Sequence, residues 1–288
     1  NGALFDPHTD RWAFRDSTKT LSLDFSRLDL SPALLMSFKA SLVWYAENKS
    51  SHHLKNMYER FTHFLKTIRV DGREVAEISA DDLLNYRASL QTDQRWYVGN
   101  LSGFLQKWHS LNLPGVSADT IALLKQLRIK GNRKGEAILT MDPENGPYTD
   151  IEFESIYSAL DDSYESGKVD LGDYLLVWLF MALGQRPIQY AGLKLCDVVV
   201  GAGKEGASVY TLKIPRAKQR GKPSRSDFKD RVLIPQIGER LVQFREDVRD
   251  AFRSILPDPD QAPLFLAKRS RKNEPPGFEY HRTAESLA

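Results

Sequence analysis

A run of ten apolar residues, positions 174–183, is the sequence feature that most restricts how this chain can fold. The run is shorter than the roughly 20 residues that a membrane-spanning helix needs, and its composition predicts a helix that is buried on all sides in a large core. Gly184 is a suitable C-terminal stop for that helix, and Pro187 fits the first turn of another. The sequence therefore predicts two successive helices, the second over residues 188–195, with Arg186 at the joint between them.

Arg186 is the first candidate for a functional residue. The two helices would hold its backbone from both sides, and the N-terminal end of the second helix would add partial positive charge. A guanidinium fixed in this way is suited to bind a phosphate group. An arginine that only caps the first helix at a surface turn explains the same residues, and this stretch taken alone favours that simpler interpretation.

The composition is that of a globular protein, with 41% apolar and 27% charged residues among 288, and the length is sufficient for two domains. The single cysteine, Cys196, excludes an internal disulfide and fits a reducing cytoplasm. Because it lies in the predicted short apolar helix, we expect a buried structural thiol. The six histidines show no metal-ligand spacing with cysteines or acids, so we predict no metal, no other cofactor and no membrane partner.

Charge is distributed unevenly along the chain, although the net charge is only +2. Residues 125–134 contain five basic residues and no acid, and residues 216–231 contain seven basic residues and two acids. Between them, residues 142–173 contain ten acids and one lysine. Such segregation creates local positive potential that attracts a polyanion. Each basic run taken alone is equally explained by a solvated loop.

The first 130 residues are predicted to contain an arm and a helical domain. Residues 1–30 form an N-terminal arm or a short strand, because Leu21, Leu23 and Phe25 alternate with polar neighbours. Over residues 31–130, apolar positions at helical spacing predict four or five amphipathic helices in one compact domain. The predicted N-caps of these helices include Ser31, Ser79 and Ser117.

A basic, glycine-containing linker over residues 131–147 is predicted to lead into a second domain over residues 148–288. Thr149 and Glu152 form a capping box at the start of its first helix. The whole chain is therefore predicted to be mainly α with a small β-hairpin or sheet. The elements predicted after the apolar helices are a strand over residues 208–215, a basic loop over residues 216–229, a return strand over residues 231–235 and a helix that begins at Ile237.

The segment around Arg186 resembles a known motif. Residues 184–198, which read Gly-Gln-Arg-Pro-Ile-Gln-Tyr-Ala-Gly-Leu-Lys-Leu-Cys-Asp-Val, are similar to the first-arginine box of the tyrosine recombinase, or phage integrase, family. In that family an apolar helix ends in Thr-Gly-Leu-Arg, and the short helix after it ends in Leu-x-Trp-x-Asp. Here Gln185 replaces the usual leucine, and Gln189 stands where a glutamate is common. The residues in matching places are Gly184, Arg186, Ala191, Leu193, Leu195 and Asp197.

The strand, basic loop and return strand are also similar to the family, whose hairpin carries a lysine that protonates the leaving 5′ oxygen. By its position after the first strand, Lys218 is the candidate for this catalytic lysine, and Lys222 is the alternative. The insertion at residues 221–227 leaves the alignment of the two lysines open. The resemblance also implies that Arg186 stabilises negative charge on the non-bridging phosphate oxygens.

The activity that the resemblance implies is site-specific recombination or integration of DNA, as in mobile elements, without a metal. A tyrosine attacks a phosphodiester, which leaves a 3′-phosphotyrosine and a free 5′ hydroxyl, and a second 5′ hydroxyl then reverses the step. The implied fold is an N-terminal helical core-binding (SAM-like) domain followed by a partial α+β catalytic domain, and the partner is double-stranded DNA. The predicted DNA-binding residues are Lys107, Lys125, Arg128, Lys130, Arg133, Lys134, Arg216, Arg220 and Lys222.

The family's His-x-x-Arg box and nucleophilic tyrosine have no counterpart here, since His281-Arg282 has a different spacing and no tyrosine follows it. We therefore expect a recombinase fragment that binds DNA without cleaving it. Full-length proteins of this family act as tetramers on DNA, and we expect the fragment alone to be a monomer. Two alternatives stay open: a non-catalytic DNA-binding protein with the same two-domain clamp, and a helical protein–protein adaptor with accidental similarity around Arg186.

Overall fold

The computed structural model describes residues 5–68, 74–129, 135–217, 224–267 and 274–287. The chain divides into two compact units. None of the helices in the described ranges combines the length and the apolar character that crossing a bilayer requires. We call Leu4–Phe14 with Leu21–Leu139 the helical unit, and Arg15–Thr20 with Thr140–Ala288 the mixed unit.

Helices make up most of the helical unit, and their N-termini follow from the capping residues. The Ser31 hydroxyl accepts a hydrogen bond from the Leu34 N–H at 3.3 Å. Ser79 and Asp82 form a reciprocal capping box, which satisfies two backbone donors that the first turn leaves free. The helices of this unit are α1 (Pro32–Asn48), α2 (Ser51–Ile68), α3 (Ala80–Ser89), α4 (Tyr97–Ser110), α5 (Ala118–Gln126) and α6 (Glu136–Leu139).

The core of the helical unit is rich in aromatic side chains. Phe38 and Phe61 are fully buried with ring centroids 4.3 Å apart, and Trp108 lies 5.3 Å from the Phe61 ring. Aromatic pairs at such distances add to the free energy gained by burying their area. These aromatic stripes are therefore core, as their helical spacing predicts.

Two strands precede the helices and pair with each other: β1 (Arg11–Asp16) and β2 (Lys19–Asp24). In β2, Leu21 and Leu23 are buried and their neighbours face outward, which confirms the predicted strand pattern. Within residues 1–30, which were predicted to be an arm or a short strand, these two strands thus form a paired hairpin. Trp12 of β1 is also fully buried, and the sequence analysis did not identify its strand.

The mixed unit combines helices with a three-stranded antiparallel sheet of order β3-β4-β5. The mainly α fold with a small sheet is thereby confirmed. Cross-strand pairing places Leu212 between Val198 and Arg231. The elements of this unit are α7 (Asp150–Glu165), α8 (Leu171–Leu183), α9 (Pro187–Ala191), β3 (Val198–Ala202), β4 (Ser208–Pro215), β5 (Phe228–Leu233), α10 (Pro235–Phe252) and α11 (Ala284–Leu287).

Helix α8 carries the ten-residue apolar run, and its burial is one-sided. Leu175 and Leu179 are fully buried and belong to the core of the mixed unit. Val177 is 36% exposed and Ala182 is also exposed. The prediction that this helix is buried on all sides is therefore wrong, because an apolar run does not determine which of its faces other elements cover.

Residues 15–20 form part of the mixed unit through buried polar contacts. Arg15 Nη1 lies 2.9 Å from Glu274 Oε1, and both side chains are almost fully buried. Arg15 Nη2 donates to the His281 carbonyl at 2.9 Å, and the Ala284 N–H donates to the Thr18 carbonyl at the same distance. A buried ion pair with these additional hydrogen bonds joins the two ends of the sequence within one unit.

Candidate functional site

Arg186 occupies the short connection between α8 and α9. Helix α8 ends with Gly184 in the left-handed conformation (φ 57°), and the Gly184 N–H donates to Phe180 O at 3.0 Å. Arg186 is the N-cap residue of α9: its N–H donates to Gln189 Oε1 at 3.2 Å, and its carbonyl accepts from Gln189 N at 2.8 Å. Both backbone groups of Arg186 are thus bonded to Gln189 of α9, whereas the hydrogen bond that ends α8 is made by Gly184.

The side chain of Arg186 is exposed, and its guanidinium makes no hydrogen bond or ion pair with any described residue. Arg186 lies at the joint between two successive helices, but the second helix is shorter than predicted. Helix α9 has five residues instead of the predicted span 188–195, because it ends at Ala191 with Gly192 as its C-cap. So short a helix aligns few peptide dipoles, and its end adds little to the potential at Arg186.

Gln189 connects α9 to the sheet. Its Nε2 donates to the carbonyl of Pro215, the last residue of β4, at 2.9 Å, and the contact is buried. A glutamate at this position could not donate this bond, since an ionised carboxylate only accepts. The glutamine that departs from the family pattern therefore has a role here, which is to hold the start of the β4–β5 loop against α9.

Asp197 connects the other end of that loop to the same region. Arg225 binds it in a bidentate pair, with Nη1–Oδ2 at 2.6 Å and Nη2–Oδ1 at 3.0 Å. The side chains of Arg225 and Asp197 are 14% and 4% exposed. Arg225 Nη1 also donates to the carbonyl of Gly192 at 2.6 Å. Both ends of the β4–β5 loop are thus fixed close to α9. Sequence reasoning named Asp197 but not Arg225, since the two are far apart in the chain.

Several predicted site residues lie outside the described part of the chain. These are Lys218, Arg220 and Lys222 of the β4–β5 loop and Lys130, Arg133 and Lys134 of the linker. The catalytic role expected for Lys218 or Lys222 therefore stays a prediction. Within the described part of the loop, Arg216 is exposed and pairs with Asp227 at 3.7 Å.

The other predicted DNA-binding residues belong to the helical unit and have different surroundings. The Lys107 ammonium lies 3.9 Å from the centre of the Trp44 ring, a cation–π contact. Lys125 and Arg128 are exposed. All three residues were predicted to bind DNA because of their positive charge. In the structure, Lys107 differs from Lys125 and Arg128 because its ammonium contacts an aromatic ring.

Arg231 shares one property with Arg186 that sequence reasoning did not detect. It is partly exposed in β5, directly across from the buried Leu212, and its guanidinium has no hydrogen-bond or ion-pair partner among the described residues. Every other described arginine of the mixed unit donates to an acid, a hydroxyl or a carbonyl or, as Arg216 does, forms an ion pair with an acid. Those paired arginines are Arg15, Arg216, Arg225, Arg240, Arg245, Arg249, Arg253 and Arg282.

His281 is a buried neighbour of α9. Its Nδ1 lies 2.8 Å from the Ala191 carbonyl, so Nδ1 carries the proton, and its buried Nε2 has no partner among the described residues. Burial lowers the pKa of His281 to about 3, which keeps the ring neutral at physiological pH. Arg282 binds Asp173 at 2.7 Å. This arrangement gives His281 a packing role and leaves it enclosed.

Cys196 is exposed, so the prediction of a buried thiol is wrong. A 3₁₀ turn over Leu195–Asp197 buries the two flanking side chains and turns the cysteine outward. Within the described ranges, no cluster of histidine, cysteine or acidic residues could hold a metal ion.

We compared the chain with protein-family models and with curated proteins, and neither comparison gave a match.

Proposed function

We propose that this chain is part of a site-specific tyrosine recombinase that binds duplex DNA and, in the complete enzyme, cleaves and rejoins its strands. The observation that carries the proposal is the exposed guanidinium of Arg186, which has no partner among the described residues, on a backbone bonded to Gln189. Gln189 and Arg225 anchor both ends of a basic loop beside the helix that Arg186 caps. The resemblance of residues 184–198 to the first-arginine box supports the same function.

The chemistry that this proposal assigns to Arg186 is electrostatic. In the reaction a tyrosine oxygen forms a bond to phosphorus, the bond to the 5′ oxygen breaks, and negative charge develops on the non-bridging oxygens. A guanidinium without an acidic partner can donate two hydrogen bonds to those oxygens, and its fixed backbone reduces the cost of positioning it. The β4–β5 loop would supply Lys218, or Lys222, as the acid that protonates the leaving oxygen.

Binding to DNA would rest on phosphate contacts outside this site as well. Lys125 is exposed and suited to such contacts, whereas Arg216 is exposed but would first have to leave Asp227. The basic residues 130–134 and 218–222 add positive charge in the sequence. Phosphate contacts of this kind release counterions and make affinity fall steeply with salt. We propose a homotetramer on paired DNA sites for the complete enzyme, acting in the cytoplasm, and a monomer for this chain alone.

The experiment is a titration of this chain against duplex DNA at several salt concentrations. Arg186→Ala should flatten the slope of log K against log salt by about 0.9, the contribution of one phosphate contact. The matched control is Arg253→Ala, which removes an equally charged side chain that is 75% exposed and already paired with Asp250. A slope for Arg186→Ala equal to that of Arg253→Ala would contradict the proposed role, and duplex binding that does not respond to salt would contradict the proposed function.

A further inference from the structure

A groove of about 530 Å³ opens on the helical unit. Its walls come from the end of α3, the loop that follows it, the start of α4 and the residues after α5. The volume is within the range of pockets that hold a ligand or a few inserted side chains. Its charged residues are Arg87, Arg95 and Arg128.

No described residue neutralises the three arginines of this groove. All three are exposed, and none makes a hydrogen bond or an ion pair with a described residue. No acidic side chain is among the described residues that line the groove. Three like charges around one concavity repel each other. An anionic group that enters the groove would relieve this repulsion, so the groove favours a ligand that carries negative charge.

The floor of the groove is apolar, and it restricts the ligand further. Val98 is buried beneath the groove, Ile129 is partly buried, and Leu84 is 44% exposed at its edge. A DNA backbone offers phosphates to the arginines but little apolar surface to such a floor. Sites for single-stranded nucleic acid instead stack bases on aromatic side chains, and no aromatic residue is among the described residues of this lining.

Arginines around an apolar centre are typical of protein–protein interfaces, where arginine is enriched and charged residues surround a buried hydrophobic contact. We propose that this groove binds an acidic, amphipathic helical segment of a partner protein. Carboxylates one helical turn apart would bind the arginines, and an apolar side chain between them would contact Leu84, Val98 and Ile129. This inference goes beyond the proposed DNA recombination and does not depend on it, and it gives Arg128, predicted from the sequence to bind DNA, a different ligand.

The test uses a fluorescein-labelled helical peptide of about 15 residues, long enough for marginal helix formation in water. The peptide carries glutamates at positions i and i+4 on either side of a leucine, and its control carries glutamines instead. Anisotropy is measured with the whole chain at about 0.15 M salt, where the Debye length is about 8 Å. We expect saturable binding of the acidic peptide and at least tenfold weaker binding of the control.

Variants of the protein test whether the acidic peptide binds in the groove. Arg87→Gln, Arg95→Gln and Arg128→Gln together should weaken binding of the acidic peptide by at least tenfold, and Leu84→Ala alone by several-fold. The control triple variant, Arg11→Gln, Arg27→Gln and Lys66→Gln, removes the same charge from exposed positions of the helical unit outside the groove and should bind as the wild type does. Thermal unfolding of each variant verifies that it is folded.

Three results would overturn the proposal. The first is no saturable binding of the acidic peptide up to about 1 mM, a free energy of about −4 kcal/mol. The second is equal loss of affinity in the groove variant and the control variant, which would show a general charge effect. The third is a groove variant that loses affinity for a 20-base-pair duplex and keeps its affinity for the peptide, which would assign the groove to nucleic acid. Duplex binding is measured in parallel, so that failure of this proposal and failure of the proposed function are told apart.

Discussion

Removal of the Arg225 side chain should destabilise the mixed unit far more than removal of a surface arginine. Arg225→Ala leaves the Asp197 carboxylate, which is 4% exposed, without its bidentate partner. It also removes the donor to the Gly192 carbonyl. The Lys194 N–H remains bonded to Asp197 Oδ2 at 2.8 Å and compensates part of the charge. The variant thus tests whether this buried pair holds the β4–β5 loop against α9.

The expected magnitude follows from burial. Breaking a buried ion pair by removing one partner costs about 3–5 kcal/mol, because an uncompensated charge stays in a low-dielectric site. We expect a loss of unfolding free energy at the lower end of this range, about 3 kcal/mol. Arg225 is 14% exposed, and the Lys194 N–H stays bonded to Asp197 in the variant. Arg253→Ala breaks an arginine–aspartate pair whose side chains are 75% and 67% exposed, and it should cost about 0–1 kcal/mol.

The assay is native-state hydrogen exchange of the β4 amides, read by mass spectrometry at increasing urea concentrations. It reports the free energy of opening the mixed unit separately from that of the helical unit. Asp197→Asn and the double variant Asp197→Asn/Arg225→Ala complete a thermodynamic cycle, whose coupling energy we expect to be about 2 kcal/mol. Arg225→Ala and Arg253→Ala variants that differ by less than about 1 kcal/mol would refute the reasoning.

Two further predictions concern packing and pH. A Cβ added at Gly238 of α10 would lie 2.2 Å from Cγ of Tyr210, so Gly238→Ala should destabilise the mixed unit by about 1–3 kcal/mol in urea unfolding. Gly201→Ala, whose Cβ would meet open space, should be neutral or slightly stabilising, and equal losses at the two sites would contradict the packing described for α10. The pKa of His281 is about 3 in the folded unit, against an ordinary value of 6.5. The unfolded chain therefore binds this proton first, and the free energy of unfolding should fall by about 2 kcal/mol as the pH drops from 7 to 5. His281→Asn retains a donor for Ala191 O and should remove this part of the pH dependence. The control His109→Asn changes an exposed histidine and should leave the pH dependence as it is. The same pH dependence in both variants would argue against a buried neutral ring at His281.

Local signals predicted the helix starts well. At Ser31, at Ser79 with Asp82 and at Thr149 with Glu152, the capping side chain serves backbone groups within three residues, so the sequence contains the whole interaction. The strand β2 was likewise predicted from the alternation of its own residues. These features need no knowledge of distant neighbours.

Features that depend on distant neighbours were predicted poorly. The exposed face of α8 at Val177, the outward turn of Cys196 and the early end of α9 all depend on which elements pack nearby. The pairing of Arg225 with Asp197 joins residues from different elements, and their spacing in the sequence carries no signal of it. The composition of the loop around Arg225 shows only that the loop is basic. The contacts in the structure are needed to distinguish Arg225, which anchors the loop through Asp197, from arginines that are available to a ligand.

Whether an arginine has an acidic partner in the structure is a better guide to its role than its position in the sequence. An arginine that must bind a phosphate or a carboxylate loses affinity if an internal acid already neutralises it, because that acid has to be displaced first. Arg186 and Arg231 in the mixed unit and Arg87, Arg95 and Arg128 in the helical unit have no such partner among the described residues. Their surroundings differ, since Arg186 is held beside a basic loop and the three arginines of the helical unit surround apolar side chains. Positive charge alone would assign both sets to DNA, and the apolar floor is the physical reason to expect a different ligand for the second.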